Sequence, residues 1–290
     1  MTDVSTESAS IRRIWQGLGL PGLVDVHVHF MPANVLRKVW AHFESQSGYW
    51  PVTYRDDERT RAARLQEFGV RRYTALSYAH RPGMASWLND WAVGFAADHP
   101  DCLHSATFYP EPGARDYVPA AIAAGARVFK SHVQVGGYDP RDPLLDEVWG
   151  VLADTGTPVV VHCGSGPLPG EHTGPGPFGE VLRRHPALTA VIAHAGSPEY
   201  TAFLDLAERY PNVHLDTTMV FTGFTEQRSP FPEDGYPRLE DLADRVLLGT
   251  DYPNIPYPYL EQLDALVRLD LGDDWLRGVL HDNAARLFDL

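Results

Sequence analysis

The segment GLVDVHVH at 22–29 alternates apolar and polar residues, is rich in valine, and closes on two histidines. β-Branched residues in a period of two predict a β-strand. Strict alternation sets Asp25, His27 and His29 on one face and Val24, Val26 and Val28 on the other. Similar short apolar runs recur at 70–78 (VRRYTALSY), 103–109 (LHSATFY), 126–133 (ARVFKSHV), 157–163 (TPVVVHC), 189–195 (TAVIAHA), 212–217 (NVHLDT) and 245–251 (RVLLGTD). Amphipathic helical patterns separate them, at 57–68, 84–98, 114–124, 142–154, 178–185, 198–209 and 256–269. A strand followed by a helix and another strand implies parallel pairing, because the helix must carry the chain back. Eight such units in 290 residues predict an α/β fold, the (β/α)8 TIM barrel, as a single domain spanning 1–290 with its core at about 22–288. In that barrel the valines of the first strand are expected to pack under the helices and the polar set to point inward. A doubly wound open sheet is the competing architecture. It more often carries G-x-G-x-x-G after the first strand, where this chain has histidines instead. The last segment, DDWLRGVLHDNAARLFDL, reads as terminal helices packed on the outside.

The connections are lopsided. Long Gly/Pro-rich stretches follow strand ends, at 164–179, 218–237 and 252–258 (YPNIPYP), and an insertion of roughly 30–54 follows the first strand. Connections from helix into strand are short, such as AAGA at 123–126 and DTGT at 154–157. All strand C-termini of a parallel barrel open on one face, so the long loops build one elaborated mouth there.

Composition narrows the function. The formal net charge of −14 argues against a general nucleic-acid or anionic-membrane surface, both of which need clustered Lys and Arg. A local cation or a metal ion still permits an anionic small substrate. Two cysteines, Cys102 and Cys163, are too few for a disulfide framework. The N-terminal residues lack an apolar run of signal-peptide type, and no segment approaches the ~20 apolar residues of a membrane span. A cytoplasmic protein is expected, with a small-molecule substrate, no nucleic acid and no membrane; a homodimer is left open.

Histidines stand where the strands end. His27 and His29 close the first strand, His162 ends TPVVVHC, His194 ends VIAHA, and Asp251 ends VLLGTD. Each of the last three is a single polar residue at the end of an apolar run, followed by a turn signal at Gly164, Gly196 or Pro253. A buried imidazole or carboxylate there needs a partner. Four histidines and one aspartate at one mouth predict a metal site of His/carboxylate type. Zn²⁺ is the natural ion, and Mn²⁺, Fe²⁺ or Co²⁺ use the same ligands.

D-V-H-V-H-F-x-P at 25–32, His162, His194, G-T-D-Y-P at 249–253 and D-N-A-A-R-L-F at 282–288 resemble the amidohydrolase superfamily. They are most similar to its amidohydrolase-related branch, which contains aminocarboxymuconate-semialdehyde decarboxylase, the resorcylate-type decarboxylases and pyrone-dicarboxylate lactonase. L-N-D-W-A-x-x-F-A-A-D-H-P at 88–100 and F-K-S-H at 129–132 add to the likeness, which runs from about Leu23 to Phe288. The resemblance implies one divalent metal ion bound by His27, His29, His162 and Asp251, with His194 beside the metal-activated water as an acid/base or orienting group. A lysine on the fourth strand is carboxylated in some members of the superfamily. In this branch it usually accompanies a single metal, so Lys130 is expected as a free ammonium.

Lys130, His132 and Arg81 are the candidate substrate contacts, with His80 beside Arg81 and the rim aromatics Trp40, Trp50, Tyr252 and Tyr257 as walls for a planar substrate. Cys163 is expected as a buried inert thiol. The remaining histidines, His42 among them, read as surface or loop residues; His172 in the long fifth loop is the one nearest a role. Asp251 as proton acceptor and His194 as proton carrier suffice for metal-dependent hydrolysis of a small, carboxylate-bearing amide, ester or lactone. The same parts permit non-oxidative decarboxylation of an unsaturated or aromatic acid. A non-catalytic metal-holding barrel is the remaining class, and it leaves the acid/base pair without a use.

Overall fold

The computed structural model describes residues 4–45 and 50–290. The strands are β1 (Leu23–Asp25), β2 (Val70–Thr74), β3 (Cys102–Leu103), β4 (Ser105–Thr107), β5 (Val128–His132), β6 (Val159–His162), β7 (Ala190–Ile192), β8 (Val213–Asp216) and β9 (Val246–Leu247). Every pairing is parallel, in the orders β1-β2-β3 and β4 through β9. β3 and β4 are two halves of one stave, interrupted at His104, so they join the two sheets. Backbone bonds from Val26 N to Leu248 O (2.9 Å), Asp251 N to His27 O (2.8 Å) and His29 N to Tyr252 O (2.7 Å) close the last stave onto the first. The result is the eight-stave TIM barrel that the alternation predicted.

The helices follow the sequence pattern closely, for example Glu58–Phe68, Met84–Asp98, Pro143–Thr155 and Tyr259–Arg268. Their ends have local causes. Asp57 caps the first of these through its carboxylate and the Thr60 amide (2.8 Å), and Gly69, at φ 87°, ends it in the left-handed conformation that a Cβ disfavours. β2 begins at the next residue, which is why the connections into the strands are short. A further helix, Ala33–Ser45, occupies the insertion after the first strand. Among the described residues no helix is long and apolar enough to cross a membrane.

Apolar side chains form two layers. Phe129, Val159, Val161, Ile192 and Leu215 pack outward against helix residues such as Trp149, Phe178 and Phe203. Val128, Val160, Val191 and Leu247 pack in a separate inner cluster with Val24, Val26 and Leu76. Two details differ from strict alternation. Val24 and Val26 belong to the inner cluster, and Asp25 turns to the outer helix, where its Oδ2 accepts from Tyr259 Oη (2.9 Å) and from Thr250 Oγ1 (2.6 Å). The cause is a register irregularity between Leu23 and Val24 and a bend at Val26, which together break the period of two before His27. Second, the terminal helix Asn283–Phe288 does not merely cover the outside. Ala284 and Phe288 join the inner valines and close the barrel at the end opposite the mouth.

Parallel register then places the chemistry. Lys130, Val160 and Val191 are neighbours across β5, β6 and β7, and His132 and His162 are neighbours one pleat higher. Lys130 and His132 therefore share the inward face, above an apolar floor.

Candidate metal centre

The strand-end residues converge. Ring centroids are 5.1 Å apart for His27 and His29, 5.2 Å for His27 and His194, 4.6 Å for His162 and His194, and 4.1 Å for His132 and His162. Asp251 Oδ1 lies 2.9 Å from His29 Nε2 and 3.6 Å from His27 Nε2. His27, His194 and Asp251 each offer a ligand atom within 4.8 Å of the other two. The structure thus brings together all five strand-end residues, and its tightest donor group contains His194 in place of His29 and His162.

Hydrogen bonding fixes what each ring offers. His27 Nδ1 donates to Asp216 Oδ2 (2.8 Å), His29 Nδ1 to the Leu76 carbonyl (2.9 Å) and His194 Nδ1 to the Thr218 carbonyl (3.0 Å). Carbonyl and carboxylate oxygens only accept, so each neutral imidazole carries its proton on Nδ1 and turns its Nε2 lone pair to the centre, where that of His29 meets Asp251 Oδ1 at 2.9 Å, acceptor against acceptor. His162 is turned the other way: Nε2 donates to the Gly166 carbonyl (2.9 Å), which leaves Nδ1 as its acceptor. Three Nε2 lone pairs and a carboxylate in one buried space are all acceptors. The one donor among them is the fully buried Lys130, whose Nζ is 3.2 Å from His27 Nε2. Crowded acceptors in low dielectric repel unless a cation lies among them, and the donor set of imidazole and carboxylate fits a divalent transition ion.

Burial dominates the proton equilibria. It lowers His27 and His162 well below the usual imidazole range, helped by Lys130 and neighbouring rings, and brings His194 down to about 4. Burial likewise brings Lys130 down to about 8, opposed by Asp216 and Asp251. For Asp251 burial acts upward, but His29 beside it and the surrounding imidazoles outweigh it and hold the carboxyl below its ordinary range. Two of these residues also sit in strained backbone: His194 at φ 55° and Asp251 at φ 69° are non-glycine residues in the left-handed region. Such strain costs of order 1–3 kcal/mol and clusters at functional sites.

Asp216 was not singled out from the sequence. It is fully buried, its Oδ2 orients His27, and its Oδ1 accepts the backbone amides of His194 (2.8 Å) and Thr218 (3.1 Å). The available signal was its place near the end of NVHLDT, as Asp251 closes the next stave. Gly249 makes room for this pair: a Cβ there would lie 2.9 Å from His27 Cβ and 3.1 Å from Asp216 Cγ.

A cavity of about 960 Å³ opens above the centre, lined by the candidate ligands, Lys130, His132 and Arg81, and on its outer side by Lys38, Trp50 and Trp87. His80 and His42 also line it, the latter from the helix Ala33–Ser45. His132 Nδ1 accepts the Val135 amide (3.4 Å), so its Nε2 carries the proton as a donor. Of the expected rim aromatics only Trp50 lines the cavity. Tyr252 is fully buried with its hydroxyl on the Arg61 carbonyl (3.1 Å), and Tyr257 is buried in the core. His172 faces Asp139 (3.7 Å) outside the cavity, and Cys163 is buried in the outer layer.

A parallel barrel with a histidine–aspartate donor group at the C-terminal ends of its staves defines a metal-dependent TIM-barrel enzyme. The chain belongs to the amidohydrolase family, in the branch like aminocarboxymuconate-semialdehyde decarboxylase; the family model matches residues 24–290. No curated protein matches the sequence. Among solved structures, an uncharacterized TIM-barrel protein of Bordetella bronchiseptica is 21% identical, with a TM-score of 0.68 over 92% of this chain and 98% of its own. A probable 2-pyrone-4,6-dicarboxylic acid hydrolase of Acinetobacter baumannii, with citric acid bound, is 14% identical, with a TM-score of 0.60 over 93% and 100%. The 5-carboxyvanillate decarboxylase of Novosphingobium aromaticivorans, complexed with manganese and 4-hydroxy-3-methoxy-5-nitrobenzoic acid, is 15% identical, with a TM-score of 0.59 over 94% and 97%. At these identities the likeness establishes the fold and leaves the reaction open.

Proposed function

We propose that the protein is a metal-dependent hydrolase of a carboxylate-bearing ester, lactone or amide. The observation that carries this reading is an inversion of charge. The chain has 38 acidic against 24 basic residues, yet Asp251 is the one carboxylate among the described residues lining the cavity, against Lys38, Arg81 and Lys130. Arg81 and Lys38 are exposed and have no acidic partner among the described residues, so they are free to meet an anion. The similar hydrolase and decarboxylase both carry a bound carboxylic acid, which supports the same substrate class.

The proposed ligands are His27, His29, His162 through Nδ1, and Asp251, with His194 at the same locus as acid/base group. A zinc-type ion in that set would supply Lewis acidity and bring the pKa of water down to about 7. Asp251 takes the proton from the attacking water through the carboxylate oxygen that does not hold the ion. His194, anchored at Nδ1 and free at Nε2, carries that proton to the leaving group. Lys38 and Arg81 hold the substrate carboxylate at the mouth, so the scissile carbonyl points to the floor.

Decarboxylation is the second reading, and one observation favours it. Lys130 and His132 put an ammonium and an Nε2–H donor on the inward face, where they would grip a departing carboxylate. A parallel screen of lactones, esters and amides beside unsaturated and hydroxybenzoic acids separates the two. Base consumption without CO₂ release is the expected result; CO₂ release without hydrolytic turnover replaces the first reading by the second.

A further inference from the structure

The loop after the last stave carries, three residues beyond Asp251, a polar side chain with no role so far. Asn254 is 1% exposed and lines the cavity. Its amide N–H donates to the Asp251 carbonyl (2.8 Å), and its own carbonyl accepts from Trp50 Nε1 (2.6 Å). Its side-chain Oδ1 accepts from Trp40 Nε1 (3.0 Å). An indole N–H only donates, so it must face Oδ1, and the amide cannot flip. That leaves Nδ2, with two N–H groups, as the polar atom with no partner among the described residues. Nδ2 is open to the cavity, so water or a bound acceptor is what meets its N–H groups.

The clamp is itself unusual. Trp40 and Trp50 both belong to the insertion after the first stave, and a third bond, Thr53 N to Ile255 O (2.9 Å), ties the same two segments. One of these bonds, from Trp40, fixes the side-chain amide of Asn254, and the other two hold the backbone carbonyls of Asn254 and Ile255 at the edge of the metal centre. A residue needed only to complete the turn after Asp251 would use its backbone amide alone and leave its side chain unconstrained.

We propose that Asn254 is a specificity-determining residue: its Nδ2, held toward the cavity by Trp40, donates to an acceptor oxygen of the bound substrate, a carboxylate or carbonyl. This rests on the reading of the cavity as a site for carboxylate-bearing molecules. Trp40, which is absent from the cavity wall, acts as a positioning residue through that amide.

The test is titration calorimetry of the manganese-loaded protein with isophthalate, and with citrate as a second probe, alongside metal analysis of each variant. Asn254→Ala is expected to weaken binding about tenfold, the scale of one hydrogen bond to a charged group, with metal content unchanged. Asn254→Asp keeps the shape and still accepts from Trp40, but turns an anionic oxygen to the cavity; it is expected to weaken binding more than Asn254→Ala does. Trp40→Phe, which frees the amide to flip, is expected to cost about threefold. A structural role predicts the opposite order, with the near-isosteric Asn254→Asp the milder change, and that order overturns the proposal. Unchanged binding in Asn254→Ala while Arg81→Ala binds more weakly also overturns it, and leaves the reading of the cavity intact. Failure of the wild type to bind either probe at millimolar concentration overturns that reading and this proposal together.

Discussion

The floor and the rim of the cavity are held in opposite ways. On the floor each ring that offers Nε2 is anchored at Nδ1 to an atom in or just beyond a stave: His27 to Asp216, His29 to Leu76, His194 to Thr218. Backbone ladders therefore set the positions of these candidate ligands, and side-chain freedom is almost absent. At the rim Lys38, Arg81 and Trp87 are exposed, the last by 45%, and the two cations have no ionic partner among the described residues. The same barrel thus separates a rigid candidate centre, set by the staves, from a rim built by the helices and loops beyond them. Substitutions on the floor should change chemistry or metal content, and those at the rim should change which molecule is held and how tightly.

The largest effects belong to the floor. His27→Ala is expected to lose the metal, measured as ions per chain against about one in the wild type, and all turnover with it. His194→Ala sharpens the assignment within the centre: as an acid/base group its loss leaves the metal in place and lowers kcat by about 10²–10⁴-fold. Loss of the metal in His194→Ala, with retention in His162→Ala, would make His194 the ligand instead. Asp216→Asn keeps its size but weakens the anchor on His27, and metal affinity should fall about 10–100-fold. Gly249→Ala probes the same contact sterically. With a Cβ 2.9 Å from His27 and 3.1 Å from Asp216, it should destabilise the fold by about 1–3 kcal/mol and cost metal affinity as well. A Gly249→Ala variant with wild-type metal affinity would show that the floor is softer than its geometry indicates.

Acid should separate floor from rim without mutation. Burial disfavours the charged form of His194 and brings it down to about 4 in the folded protein, against 6.5 for an ordinary imidazole. The unfolded chain therefore binds more protons over that interval, and the metal-free protein is fully stable with respect to this group above pH 6.5. Stability falls as pH drops from 6.5 toward 4, by about 3 kcal/mol for this residue alone. His27, His132 and His162 shift in the same direction and steepen the loss. Chemical denaturation of the metal-free protein at stepped pH measures this, and His194→Phe should have the shallower slope.

The staves are legible from the alternation, and His162, His194 and Asp251 because each stands as one polar residue closing an apolar run, a local signal. Asp216 carries the same signal, but His214 two residues earlier shares its alternation, and a strand of two polar and two apolar residues does not declare which polar residue lies at the mouth. Asp25 failed for a sharper reason. One register irregularity before Val24 reverses the facing of Val24 and Asp25, the bend at Val26 restores it by His27, and no residue type marks either. The terminal helix showed an apolar face, yet nothing in a 3.6-residue period says which surface that face will meet. Asn254 was illegible altogether, since its meaning lies in Trp40, 214 residues away.

The smallest effect, and the one most particular to the rim, concerns Arg81. It lines the cavity but is exposed, so water and salt screen its charge and no fold contact depends on it. A floor residue acts on the reacting atoms, whereas Arg81 holds a part of the substrate that does not change during reaction. Ground state and transition state then gain equally from it, and removing it raises KM without lowering kcat. Arg81→Ala should raise KM for the best anionic substrate about 3–10-fold at low ionic strength and leave kcat and metal content alone. Added salt should raise the wild-type KM toward that of the variant, because screening removes what the mutation removed. An equal fall of kcat and kcat/KM in Arg81→Ala would place the guanidinium on the transition state, and the division between a reacting floor and a holding rim would then run elsewhere in the cavity.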